Sequence, residues 1–410
     1  MRNDSRYNGF MIIHIDGIKE NFTRQKDKQK AAIFAYISQN GPVARKDITT
    51  ALHLRSTSVS MLVQELIDDG LVAEGQSLTR GRAGRPDIGL RIAEARLVAA
   101  TIYVEGYKFI GSLVDMAGNI LMQKSLKIPP QETNQTVLKK YKLMLGALKN
   151  AAPAKSECIG AGISAVGTID EKNRTWVNAD RWPKIKDLNV GIFENDIGIP
   201  IGLRRNLDIE LEYMLEKKPE CRTKSTILFH WGFGIGGAYA YQGKILDSPA
   251  GRYMDIGHTI VHSTSKKRCR CGLYGCLEAE AAIFGLLPLL QKRFPNLQED
   301  SSDIDSILSD PQICTIPGIN HAINTVGIFL SNLYKIFYPH RIFLVGPFAR
   351  NPKVVKCLEK TIIKTFYAKL RDKVHHIDLI TIPDGFSGCM WANAYPFFRK
   401  RLTELLAARV

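Results

Sequence analysis

The chain has 410 residues, with 56 Lys and Arg against 40 Asp and Glu for a formal charge of +16, and with 45% hydrophobic and 23% charged residues. That length exceeds one ordinary core and implies two or three domains, and the composition excludes a disordered or fibrous chain. No apolar run approaches the ~18 to 20 residues of a membrane-spanning helix, and residues 10–13 are the one apolar run of an opening segment without a small-residue cleavage site, so a cytoplasmic protein is expected.

The net charge suits a polyanionic partner without locating one, because residues 1–90 hold 13 Lys and Arg against 10 Asp and Glu, leaving +3 there and +13 in the rest. Residues 1–24 are polar and aperiodic and read as a loose N-terminal arm. From Lys28 an apolar helical face of Ala32, Ile33, Phe34 and Ile37 develops and stops at Asn40-Gly41-Pro42. A short second helix over 45–52 buries Ile48 and Leu52, and His53-Leu54-Arg55 makes the turn.

Ser56 or Thr57 caps a third helix in which Val59, Leu62, Val63, Leu66 and Ile67 form one apolar stripe. Its other face carries Arg55, Thr57, Ser58, Ser60, Met61 and Gln64, short or polar groups suited to a DNA major groove. Residues 71–74 read as a strand, 79–86 as a basic hairpin tip and 88–92 as the return strand. This order predicts a winged helix-turn-helix over 25–93 that binds a double-stranded DNA operator. Arg45, Arg80, Arg82 and Arg85 add phosphate or minor-groove contacts.

Residues 94–410 read as α/β, with strand-like runs at 97–103, 110–114, 159–163, 227–230 and 342–345 separated by helical patterns. Of the eight cysteines, Cys158, Cys221, Cys314, Cys357 and Cys389 are scattered and read as buried thiols. Cys269, Cys271 and Cys276 crowd into eight residues, with Gly272 and Gly275 letting the loop fold back and His258 just upstream. Three thiolates and an imidazole fill a tetrahedral zinc shell, and four protein ligands make the site closed and structural.

Gly257-His258 followed by Cys-x-Cys-Gly-x-x-Gly-Cys-Leu-Glu resembles the signature of the ROK family of repressors and sugar kinases, and the likeness extends over nearly the whole chain from about residue 25. The helix-turn-helix ahead of it is similar to the family's repressors of xylose, glucose or N-acetylglucosamine genes; its kinases lack that head. The resemblance implies a two-lobed, actin-like sugar-kinase fold for 94–410, as a homodimer or higher homo-oligomer.

It also implies where nucleotide and sugar chemistry should lie. The family's first phosphate loop, Asp-x-Gly-Gly-Thr, corresponds to Tyr103-Val104-Glu105-Gly106-Tyr107, which lacks the Asp and carries a carboxylate that repels phosphate. In the second loop Phe233 replaces the hydroxyl within Gly232-Phe233-Gly234-Ile235-Gly236-Gly237, and Val345-Gly346-Pro347 keeps only part of a third. The sugar side corresponds to Asp255, His258 and Glu278, with Gly167 and Asn178 in the cleft loops. The general base corresponds to Asp208 if aligned on Met214 and Glu216, or to Asn206 if aligned on Pro200.

The expectation is therefore a repressor of carbohydrate genes whose degenerate, non-catalytic kinase-like domain senses a small sugar or sugar derivative and retains Asp208 as a relic. Two alternatives stay open: an active sugar kinase with a DNA-binding head, and a regulator without small ligand that answers to a protein partner.

Overall fold

The computed structural model describes residues 16–19, 22–78, 87–246, 253–299, 303–365, 378–382 and 389–407. The expected hairpin tip at 79–86, with Arg80, Arg82 and Arg85, lies outside the described residues.

The N-terminal part runs α1 (Asp16–Lys19), α2 (Gln25–Asn40), α3 (Arg45–Leu52), α4 (Ser56–Asp68), β1 (Val72–Leu78) and β2 (Asp87–Ile92). Ile33, Phe34 and Ile37 of α2 and Val59, Leu62, Val63 and Leu66 of α4 are buried together, as their helical spacing requires. His53 ends α3 with a left-handed φ of 53°. The α4 boundary differs from expectation: Arg55 is its N-cap, with no side-chain cap bond. The helix thus starts with Ser56 already inside it, and neither Ser56 nor Thr57 serves as cap. β1 and β2 pair antiparallel from Val72 opposite Ile92, and Leu90 also bridges back to Val43 before α3. Ile18 and Phe22, within the segment read as a loose arm, are buried in the same core.

The remainder is α/β in two lobes. The first holds β3 (Leu97–Glu105), β4 (Lys108–Asp115), β5 (Ile120–Lys127), α5 (Asn134–Asn150), β6 (Glu157–Ala165), β7 (Thr168–Asp170), β8 (Thr175–Asn178), β9 (Lys186–Asn189), α6 (Glu194–Ile197) and β10 (Ile201–Arg205). Then α7 (Asn206–Lys217) leads into the second lobe. That lobe comprises β11 (Thr226–Trp231), β12 (Ile235–Tyr241), β13 (Lys244–Ile245), α8 (Leu277–Ala281), α9 (Ile283–Leu290), α10 (Ile304–Ser309), α11 (Pro317–Phe337), β14 (Arg341–Val345), α12 (Pro352–Thr365) and β15 (Leu379–Ile382). The last helix, α13 (Tyr395–Leu406), returns to the first lobe.

The two five-stranded sheets share one topology. Their orders are β5-β4-β3-β6-β10 and β13-β12-β11-β14-β15, each an antiparallel hairpin pair followed by two parallel strands. Parallel neighbours need helical crossovers, which α5 and α11 supply. Along β3 the pleat splits the side chains: Val98, Ala100 and Ile102 enter the first lobe's own core, while Leu97 and Ala99 face the other way.

That other face explains where the N-terminal part sits. Leu97, Ala99, Val114 and Met116 form one continuous core with α2, α4 and Tyr395, Phe398, Leu402 and Leu406 of α13. Lys30 of α2 is wholly buried there, donating to Asp69 Oδ2 at 2.9 Å and to the Leu405 carbonyl at 2.9 Å, with Glu65 Oε2 at 3.4 Å. At its start α13 is tied to α7, because Arg399 pairs with both Glu212 and Glu216 at 2.6 Å. No helix among the described residues is long and apolar enough to cross a membrane.

Candidate functional site

His258 lies in a short helical turn after β13, and the loop beyond it folds back through isolated bridges between Ile260 and Cys276 and between Arg268 and Tyr274. Gly275 permits this fold, having φ +69° and room for no Cβ, which would sit 2.0 Å from the His262 carbonyl. The ligand atoms of His258, Cys269, Cys271 and Cys276 all lie within 4.8 Å of one another and could hold a metal ion. The His258 Nδ1 to Cys269 Sγ distance is 3.5 Å and Cys271 Sγ to Cys276 Sγ is 3.7 Å. Burial, then the neighbouring thiols, pushes Cys276 up to about 12. Hydrogen bonding to Asp180 and then to Cys269 holds a proton on His258 up to about 11. Both directions express one chemistry: clustered anionic donors that call for a cation.

The other side of His258 looks into the cleft between the lobes. Its Nε2 is 3.4 Å from Asp180 Oδ2, contributed by the first lobe, and 3.8 Å from Asp255 Oδ1; Glu278 Oε2 is 3.9 Å from Nδ1. Glu278 Oε1 accepts the Ile235 N–H at 2.9 Å, and burial raises the pKa of this carboxyl. Two glycines make the approach possible: a Cβ on Gly234 would lie 2.3 Å from Glu278 Oε1 and one on Gly257 2.1 Å from the Ile235 carbonyl. Gly167 and Asn178 are adjacent across the β7–β8 pair, the Asn178 carbonyl being 2.4 Å from any Cβ on Gly167. Asp255, His258 and Glu278 thus come together, and Asp180, which the sequence reading passed over two residues beyond Asn178, joins them.

The loops resembling phosphate cradles close on each other. Gly106, in the turn between β3 and β4, lies against the Phe233 ring, within 3.8 Å of where its Cβ would be. Arg181 donates to the Gly106 carbonyl at 3.3 Å and stacks over Phe233 at 5.4 Å from the ring centre. Glu105 is exposed at this turn. Arg181 is a second residue the sequence reading missed; its signal is only its position one residue after Asp180.

At the start of α7, neither candidate for the general base is presented singly to the cleft. Asn206 is buried and donates to the Val104 carbonyl at 2.7 Å. Asp208 accepts two bonds from Arg205, at 3.0 and 2.6 Å, and Arg205 in turn donates to the Tyr253 and Gly237 carbonyls of the second lobe. Leu207 between them faces Gly236, where an added Cβ would meet its Cδ1 at 2.7 Å.

On the N-terminal part, Arg55, Thr57, Ser60, Met61 and Gln64 are exposed and Ser58 is half-buried. Gln64 donates to Asp68 at 2.9 Å. Arg45 pairs with Glu74 of β1 at 3.0 Å, so its guanidinium already has a carboxylate partner.

Residues 100–385 match the ROK family, and the chain belongs to it. It is 23% identical over 354 residues to the DNA-binding transcriptional repressor Mlc of Escherichia coli (strain K12), covering 82% of this chain and 83% of that one. It is 22% identical over 343 residues to a xylose repressor of Caldicellulosiruptor bescii, covering 79% of this chain and 84% of the relative. The crystal structure of a ROK family transcriptional regulator, a homolog of the E. coli Mlc protein, superimposes with a TM-score of 0.68 at 19% identity, over 93% of this chain and 97% of that one. The fold is the mixed α/β fold of this family, and the N-terminal helices fit a DNA-binding head.

Proposed function

We propose that this ROK family member is a sequence-specific DNA-binding regulator of carbohydrate-related genes, a repressor like the relatives it resembles, which senses a small sugar in its cleft and transfers no phosphate. The observation that carries this reading is α4: its apolar stripe is buried while Arg55, Thr57, Ser60, Met61 and Gln64 stay exposed. In a winged helix-turn-helix that face enters the major groove, and the β1–β2 hairpin with Arg80, Arg82 and Arg85 beyond its described ends forms the wing. Two heads in a homodimer read half-sites about 34–36 Å apart, one turn of DNA.

The closed phosphate loops support a non-catalytic cleft. Phosphoryl transfer needs the donor held in line with the acceptor. Here Phe233 and Arg181 fill the gap against Gly106, and Leu207 faces Gly236 at the base of the glycine loop. Asp255, His258, Glu278 and Asp180 remain as a polar group suited to hydroxyls, since each carboxylate oxygen accepts from one.

His258, Cys269, Cys271 and Cys276 hold zinc in this reading. A tetrahedral ion with bonds of about 2.3 Å to sulfur and about 2.0–2.1 Å to nitrogen implies S···S edges of about 3.8 Å and N···S edges of about 3.6 Å. The observed 3.7 and 3.5 Å fit those edges. Bound zinc would replace the proton at Nδ1 and lock the loop, leaving Nε2 toward the cleft and the imidazole oriented by its other nitrogen.

The test is a genome-fragment pull-down with the purified protein at moderate salt, repeated with sugars. Recovery of one short, roughly palindromic site near carbohydrate genes, released by one sugar, is expected. Recovery of unspecific DNA alone, together with sugar-dependent ATP turnover in a coupled assay, would replace this reading with a kinase.

A further inference from the structure

Among the described residues, the core that joins the head to the body contains none of 226–382. Apolar packing therefore seats the head on the first lobe, and a movement of the second lobe needs another route to it. Helix α7 is held from both sides. Its N-cap residue, Arg205, donates to the Tyr253 and Gly237 carbonyls of the second lobe at 2.7 and 3.1 Å, and Asp208 in the first turn accepts two bonds from the same guanidinium. A second lobe that shifts must break those bonds or carry the start of α7 with it.

From α7 the polar contacts run on to the head without a break. Glu212 and Glu216, on one face of α7 by their spacing, share Arg399 of α13, each at 2.6 Å. A planar guanidinium that spans two carboxylates fixes how α7 is rotated against α13. Further along α13 the Leu405 carbonyl accepts from Lys30 of α2 at 2.9 Å, and Lys30 meets Asp69 at 2.9 Å and Glu65 at 3.4 Å. Glu65 belongs to α4, the helix whose exposed face carries Arg55, Thr57, Ser60, Met61 and Gln64. Stability does not require the Arg399 step. Ion pairs taken out of water gain little over apolar residues of the same volume, and their best-attested use is to set register. Glu212 and Glu216 also have other partners, Arg204 at 2.6 Å and Arg222 at 2.7 Å. What Arg399 adds is a directional link between two helices.

We propose that Arg399 is a positioning residue that couples the two lobes to the DNA head: the placement of the second lobe, gripped by Arg205, passes through α7 and Arg399 to α13, and through Lys30 to α2 and α4. This rests on the reading of the chain as a cleft-sensing, DNA-binding regulator and supplies the route between its two sites. The bistable element is α7, which follows the second lobe when Arg205 holds and is released from it when Arg205 lets go.

Amide hydrogen exchange on the full chain, read by mass spectrometry over α2 and α4, tests the route with neither ligand nor DNA present. Arg205→Met releases the second lobe's grip. In the parent it should speed exchange in α2 and α4 about fivefold or more, the lower range of coupling between distant sites. In an Arg399→Met background the same change should alter exchange there by less than about twofold, because the link is already cut. Arg399→Met leaves Glu212 and Glu216 each with another arginine, so the fold survives it. Arg399→Lys, which keeps the charge and loses the fork, should restore part of the response. Exchange in α5, which packs in the first lobe's own core, separates coupling from general loosening. Equal acceleration of the head in both backgrounds, acceleration that α5 shares, or none in the head overturns the proposal. The regulator reading stands apart from this result. An operator released by a sugar, together with equal acceleration in both backgrounds, keeps the reading and removes the coupling; a chain that shows the coupling yet binds neither operator nor sugar does the reverse.

Discussion

Lys30 offers the sharpest test of how the head is mounted. Its ammonium is wholly buried and meets Asp69 and Glu65, whose side chains are 13% and 12% exposed, together with the Leu405 carbonyl of α13. Lys30→Met keeps the volume and removes the charge, which takes the buried cation away from Asp69 and Glu65, although Lys26 still meets Glu65 at 3.1 Å. Breaking a fully buried ion pair from one side costs about 3–5 kcal/mol. Because both carboxylates touch solvent they recover some hydration, which puts the loss near the lower end, about 3 kcal/mol including the bond to Leu405. The four tryptophans, at 176, 182, 231 and 391, all lie outside α1 to α4. Urea unfolding followed by tryptophan fluorescence thus reports the body, while far-UV circular dichroism reports head and body together. Since the head shares its core with α13, both probes should move to lower urea together. Neutralising the partners as well, with Glu65→Gln and Asp69→Asn, should recover much of the loss, as a coupled pair requires. A Lys30→Met variant within about 1 kcal/mol of the parent, on the scale of ordinary surface changes, would refute the reasoning, as would a head transition that separates from the body in the unmutated chain.

Other expectations follow from single contacts. Purified protein should carry about one tightly held zinc per chain, lost in Cys276→Ser, and elemental analysis finding a stable metal-free protein would defeat the assignment. Gly162→Ala should cost at least about 1–3 kcal/mol in chemical denaturation, because its Cβ would lie 2.2 Å from the Asn393 carbonyl oxygen, a backbone atom that cannot rotate away. Burial raises Glu210, which is hydrogen-bonded to Tyr103, to about 8. The folded state therefore binds a proton that the unfolded chain has released, and stability falls as pH rises from the ordinary carboxyl range toward 8. Glu210→Gln should flatten that slope, and an unchanged pH profile would contradict it. Arg82→Ala with Arg85→Ala should weaken binding to all DNA sequences alike and reduce the salt slope by about 2; a loss confined to one sequence would argue for base readout by the wing.

Much of the head and of the cysteine loop was legible because their information is local. The stripe Val59, Leu62, Val63 and Leu66 is set by helical spacing, and all four are buried. The bounds 45–52 for the second helix coincide with α3, and the expected strands fall within β3, β4, β6, β11 and β14. Cys269, Cys271 and Cys276 are close in sequence and must be close in space, so adding His258 required only one short loop to return. The N-cap of α4 lies one residue before Ser56 and two before Thr57, since a Ser-Thr-Ser run offers hydroxyl caps that the helix does not use once it begins after Arg55.

Residue types and spacing by themselves determined the helical head, the α/β body, the cysteine cluster and the departures in the phosphate loops. Tertiary structure decided which atoms face which. Whether Asn206, Leu207 or Asp208 meets the cleft depends on the rotation of α7, which Arg205 and the second lobe's carbonyls fix from more than thirty residues away. That Asp180 and Arg181 belong to the site depends on closure of one lobe over the other. That Lys30 bonds Leu405, 375 positions later, depends on α13 crossing back beneath the head. Periodicity registers which side of an element is apolar, but it carries no record of the partner waiting on that side, and contacts this distant are chosen only when the whole core closes.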